Sequence, residues 1–212
     1  MLRKMLFGLL ITSLISSSAL AGGPEIVPPP APHLRPFIGI NYIYLHQNNT
    51  NTTTDFIQNS FLTFSPTGEF PNNFSGYELE FGLKYGQYIA FAWGYHEFGR
   101  KSKTTGPATL TITEKPKGFY FDFRGYWPIH NFDLIGLIGS DITSWGGATI
   151  TTLAGTSTLN QDDQVNIHFG GGADFWFTPN WAVQALFKYT PTSSQYVRHF
   201  WTISAGLYYM FN

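Results

Sequence analysis

Residues 77–85 read Tyr-Glu-Leu-Glu-Phe-Gly-Leu-Lys-Tyr. Successive side chains of an extended strand point to opposite faces. Tyr77, Leu79, Phe81, Leu83 and Tyr85 therefore share one face, and Glu78, Glu80, Gly82 and Lys84 share the other. An apolar face with an aromatic at each end and charges behind it, over about nine to eleven residues, is the unit of a membrane-spanning β-barrel. A half-buried strand of a soluble sheet shows the same alternation with its apolar side turned inward. The rest of the chain decides between them.

Seven further segments have strand character: 37–46, 88–98, 119–127, 132–142, 165–177, 181–189 and 198–211. In 88–98, for example, Ile89, Phe91, Trp93 and Tyr95 oppose Ala90, Ala92, Gly94 and His96. The facing of 132–142 is ambiguous. Residues 108–114 look β-like but out of phase with Phe119, and are expected to extend the 119–127 strand beyond the membrane with a bend near Pro116. The links alternate in length: 47–76 is long, 86–87 short, 99–118 long, 128–131 short, 143–164 long, 178–180 short and 190–197 intermediate. Such asymmetry suits a barrel with long loops outside the cell and short turns in the periplasm. It places Asn51 and Gly155 outside and Gly86 inside.

Composition agrees. Aromatics make up 18% of the 212 residues and charged residues 12%, against about 25% charged in soluble domains. Arg3 and Lys4, the apolar run 5–15 and Ala19-Leu20-Ala21 have the three parts of a secretory signal. Removal of 1–21 would leave ten basic and thirteen acidic residues, a net −3, which argues against nucleic acid as a partner. Residues 22–36, rich in proline, are expected to be an extended periplasmic lead-in, and 37–212 the barrel. The absence of cysteine excludes a disulfide framework.

The stretch Ser204-Ala205-Gly206-Leu207-Tyr208-Tyr209-Met210-Phe211 resembles the C-terminal assembly signal of bacterial outer-membrane proteins. Ser204 is its polar residue, Gly206 its glycine, Tyr209 its aromatic and Phe211 its terminal aromatic. Asn212 departs from that pattern by following the aromatic. Pro36-Phe37-Ile38-Gly39-Ile40, Gly170-Gly171-Gly172-Ala173-Asp174-Phe175 and 178–185 are similar to the outer-membrane-protein beta-barrel domain family, the small OmpA/OmpX-like barrels, and the similarity covers about residues 36–212. The resemblance implies an all-β, eight-stranded antiparallel up-and-down barrel in the bacterial outer membrane. It also implies dealings with the assembly machinery and contact with outer-membrane lipid and lipopolysaccharide. Family members include anchors, adhesins and immune-evasion proteins. With the barrel reaching residue 212, no peptidoglycan-binding domain is expected after it, and a wall-anchoring role is not the expected one.

The phase of the strands puts Glu78, Glu80, Lys84, Asp122, Arg124, Asp174 and Lys188 inside. An eight-stranded interior is narrow enough for side chains to fill, so four acids and three bases there should pair, with Arg124 as a central cation serving two carboxylates. The competing reading is a gated ion path. His96, His168 and His199 invite a lipid hydrolase, but His199-Phe200-Trp201 lacks the serine of a His-x-Ser pattern. The histidines also lack a metal-ligand spacing. Asn48, Asn51 and Asn73 lie in N-x-Ser/Thr sequons and suit polar loops. Tyr44, Tyr85, Tyr88, Trp127, Trp181 and Tyr209 suit interfacial girdles. The expected protein is a monomer without cofactor or catalysis. Its loops, especially 47–73 and 143–163, would give it a structural or adhesin-like role toward a host or extracellular ligand. A narrow passive pore is the alternative, and a lipid-modifying enzyme stands behind it. Phe81→Arg is expected to block folding and Gly82→Ser to be mild.

Overall fold

The structure is a computed structural model that describes residues 33–49, 71–105, 110–145, 148–152, 155–159, 163–192 and 197–211. The signal segment, most of the lead-in, Asn51 and the apolar part of the first loop (Phe56, Ile57, Phe61, Leu62 and Phe64) lie outside the described residues.

Eight strands close into an antiparallel barrel. They are β1 (Leu34–Asn49), β2 (Asn73–Tyr85), β3 (Ile89–Phe98), β6 (Lys117–Ile129), β7 (Phe132–Ser144), β10 (Gln164–Trp176), β11 (Trp181–Pro191) and β12 (Val197–Met210). Their order is β1-β12-β11-β10-β7-β6-β3-β2, and β1 closes on both β2 and β12. Every backbone group of a spanning strand can thus pair with a neighbour, which hydrocarbon requires. β1 starts three residues ahead of the expected boundary, with Leu34, Arg35 and Pro36 opposite Tyr85, Lys84 and Leu83.

The turns at the periplasmic end are tight. Gly86 takes φ 59° between β2 and β3, a left-handed conformation that glycine adopts without steric cost. His130 takes φ 56° between β6 and β7. In 178–180 the Thr178 hydroxyl accepts from the Trp181 N–H at 2.9 Å.

Burial alternates along the strands as period two demands. Phe81, Phe91, Trp93, Phe121 and Phe123 face outward, while Glu78, Glu80, Asp122 and Arg124 are buried in the lumen. β7 explains its own ambiguity. Its inward column is Asp133, Ile135, Leu137, Gly139 and Asp141, so apolar residues occupy both faces and hydropathy no longer marks the side.

Two of the long links contain further strands. β4 (Lys101–Thr105), β5 (Leu110–Glu114), β8 (Ala148–Thr152) and β9 (Gly155–Leu159) form a four-stranded sheet, order β4-β5-β8-β9. The expectation that 99–118 and 143–164 are largely connecting loop is corrected here, because each contains a hairpin and the hairpins pair through β5 and β8. The supposed phase break at 108–114 is corrected too. Burial alternates without interruption from Thr111 through Trp127. What inverts is the hydropathy: outside lipid the apolar residue Ile112 turns inward and Thr111 and Thr113 replace the aromatics outside.

Candidate functional site: a filled lumen under an ordered extracellular sheet

The inward column of β1, from the periplasmic end, runs Phe37, Gly39, Asn41, Ile43, Leu45 and Gln47. This apolar–polar–apolar sequence describes the whole lumen. The lower layer is a cluster of Phe37, Ala90, Ala92, Tyr126, Ile135, Leu137, Ala182, Leu186, Tyr208 and Met210, with Trp176 against it. Gly82 gives it room, since a Cβ there would collide with the Phe37 ring and the Phe91 carbonyl oxygen. Gly82→Ser, expected to be mild, is therefore a disruptive change.

The charged layer lies above and partly within this cluster. Arg124 Nη1 donates to Glu80 Oε1 at 2.7 Å, and Nη2 donates to Asp122 Oδ2 at 2.8 Å. The Tyr120 hydroxyl donates to Glu80 at 2.7 Å, and His168 Nε2 lies 2.6 Å from Asp122 Oδ1. Lys188 Nζ is 3.1 Å from Asp122 and 3.8 Å from Glu78, and sits 3.4 Å from the Tyr120 ring centroid. Asn41 Nδ2 donates to Glu78 at 2.9 Å. Arg124, Glu78 and Glu80 are all 0% exposed. A planar guanidinium with its five donors can hold two carboxylates at once.

Two of the seven charges named from sequence meet other partners. Lys84 pairs with Asp133 at 2.7 Å, which also accepts from Trp176 Nε1 at 3.0 Å. Asp174 accepts from Gln184 Nε2 at 3.0 Å. Sequence reasoning missed Asp133 because it lies on ambiguous β7. It also missed the 3.8 Å approach of His96 Nε2 to Asp141 for the same reason. Gln184, on the inward face of β11, is the neutral partner of Asp174.

The third layer closes the extracellular mouth. Ile43, Leu45, Phe74, Phe98, Trp145, Val197 and Phe200 pack together, with the rings of Trp145 and Phe200 5.5 Å apart and edge-on. Trp145 follows β7 and Phe200 lies on β12, so this contact bridges the mouth. Above it, Gln47 Nε2 donates to Glu114 Oε2 at 3.1 Å and to the Pro71 carbonyl at 2.7 Å. Burial pushes the Glu114 carboxyl up to about 8, although the Gln47 hydrogen bond opposes the shift.

On the outer surface, aromatics pair near both ends of the barrel: Tyr44 with Trp201 and Tyr95 with Phe119 above, Trp181 with Tyr209 and Phe132 with Phe175 below. Of the assembly-signal residues, Ser204 lines the lumen and Gly206 takes the same inward phase, while Tyr209 and Phe211 turn outward with rings 4.8 Å apart. No metal-type cluster of histidine, cysteine and carboxylate occurs among the described residues.

The family profile described as the OmpA-like transmembrane domain matches residues 44–212. The chain belongs to that family. It is a bacterial outer-membrane β-barrel. Among solved structures, OprG from Pseudomonas aeruginosa is similar with a TM-score of 0.54 and 11% identity, covering 85% of this chain and 97% of its own. Ail of Yersinia pestis, in complex with the heparin analogue sucrose octasulfate, has a TM-score of 0.52 and 14% identity, covering 84% and 97%. At these identities the likeness is one of fold. No curated protein sequence matches the chain. Within the OmpA-like frame, this barrel has a three-layered filling and a sheet of paired hairpins.

Proposed function

We propose that this OmpA-like barrel is a closed, non-conducting scaffold that presents its extracellular hairpins for surface interaction. The observation that carries the reading is the filled lumen, with an apolar layer at each end and a buried ion network between them. A tether between strands needs no regular structure, yet β4, β5, β8 and β9 in these connections build a common sheet. Sites of recognition sit disproportionately on such connections, held by a rigid frame. A hydrolase is not supported by the placement of the groups it would need, since His199 and Ser204 belong to opposite faces of β12. Ail was solved with a heparin analogue, so an anionic glycan is the first ligand class to offer the loops. The test compares intact cells carrying the native protein with cells in which both hairpins are replaced by short turns. Native cells should adhere to heparin-coated or cultured-cell surfaces, and trimmed cells should not. Equal adhesion, with both proteins folded, would remove the interaction role.

A further inference from the structure

We propose that Glu114 is a proton-operated latch of the extracellular mouth: its neutral carboxyl holds Gln47 across the mouth, and its ionised form turns to Lys101 on the neighbouring strand. β2 and β3 stand between β1 and β6 in the barrel, and β5 leads into β6. The bond from Gln47 on β1 to Glu114 on β5, at 3.1 Å, therefore reaches over the mouth and not along the wall. Gln47 also fixes the end of the first loop. Its Nε2 donates to the Pro71 carbonyl at 2.7 Å, and its N–H to the Asn72 carbonyl at 2.8 Å. One knot thus ties β1, the loop end and the hairpin wall together, with Gln47 and Glu114 both buried in it.

The knot suits a neutral acid. Gln47 Oε1 is buried and accepts from no described residue. A protonated carboxyl carries the O–H donor that such an oxygen lacks, whereas an ionised one only accepts. A buried carboxylate with one neutral amide beside it is costly, and burial raises this carboxyl to about 8. Among the described residues, the charged groups around it supply the alternative. Lys101 stands opposite Glu114 in the β4–β5 register and is exposed, and Lys103 follows it opposite Ile112. Lys115 and Lys117 are exposed in the alternate phase, with Lys115 paired to Glu97. His96 lies lower in the lumen against Asp141, and the cap of Phe74, Phe98, Trp145, Val197 and Phe200 brings no charge. Once its proton has passed to water, the carboxylate gains a cation by leaving Gln47 for Lys101. The mouth then loosens on the β1 side while the barrel strands below stay paired. The latch concerns the mouth alone and does not depend on the hairpins binding a ligand.

The chain has no cysteine, so Asn48→Cys with Ser102→Cys places spin labels at two chosen, exposed positions on β1 and β4. Double electron–electron resonance on the refolded protein in detergent reads the distance between them over about two pH units on either side of about 8. Heat-modifiable gel migration at each pH verifies folding. The native latch should give one distance on the acid side and a second, longer one that takes over with a midpoint at about 8. Glu114→Gln keeps a neutral group of the same size beside Gln47 and should hold the short distance throughout. Lys101→Gln removes the cation of the ionised form and should raise the midpoint by about half a unit, the scale of an exposed ion pair. A native distance that ignores pH, or a transition that persists in Glu114→Gln, would overturn the latch. So would a native midpoint in Lys101→Gln, because the carboxylate would then leave Gln47 without the exchange. Lys101→Gln changes one exposed side chain and carries the test should Glu114→Gln misfold.

Discussion

Arg124 has no exposed surface and holds Glu80 and Asp122 at once, so the lumen is sensitive at that one residue. Arg124→Ala would leave two buried carboxylates short of their cation, a loss of about 3–5 kcal/mol for a buried pair broken on one side. Urea unfolding in detergent, followed by heat-modifiable migration, should show that loss. Arg124→Lys should recover only part of it, because one ammonium cannot reproduce the two-carboxylate fork. Glu114 makes a second prediction, about pH. Its carboxyl is raised from 4.5 to about 8 in the folded protein, so the neutral form favours the cap. That stability is fully present below about pH 4.5 and is lost as pH rises through about 8. The hydrogen-exchange protection factors of β5 amides, taken relative to the intrinsic rate at each pH, should fall over this window, and Glu114→Gln should abolish that fall. These charges were only partly legible in sequence. Glu78, Glu80, Asp122, Arg124 and Lys188 follow from simple alternation, whereas Asp133 lies beside Ile135 and Leu137 on an inward face that reads as apolar.

At the level of strands, alternation predicts facing, and facing predicts tolerance. Phe81 is outward and Gly82 inward. Phe81→Arg sets a charge in hydrocarbon at about 2–4 kcal/mol near the midplane and should block folding into lipid vesicles. Gly39→Ala should fold normally, because a Cβ there meets its nearest neighbours at 3.5 Å, whereas Gly82→Ala should fold poorly against the Phe37 ring. If Phe81→Arg folded as well as Gly39→Ala, this strand would not face lipid. The barrel strands were legible because one solvent, lipid, selects their outer residues and another requirement, a satisfied polar interior, selects their inner ones. The extracellular hairpins were not, because Lys-Ser-Lys-Thr-Thr and Thr-Ile-Thr carry no lipid-facing face. Their signal was the run of β-branched threonine and isoleucine, combined with an apolar side that moves inward once the chain leaves the membrane.

For the whole molecule, three layers act in series. The periplasmic cluster around Phe37, Tyr126 and Met210, the network around Arg124, and the cap around Trp145 and Phe200 each fill the section they occupy. Eight strands enclose little more than the volume of their own inward side chains, and this chain uses that volume for packing. The resemblance to OmpA-like barrels was enough to foresee location and strand number. The layering needed the register, since it depends on which inward residues of different strands fall at one height. The most direct measurement is the conductance of the native protein, purified, refolded and inserted into a planar bilayer at neutral pH. A closed lumen predicts current at the level of the bare bilayer across the working voltage range. A large, steady conductance, carried by protein whose folded state is verified on the same preparation, would contradict it and make the charges of the lumen the walls of a pore.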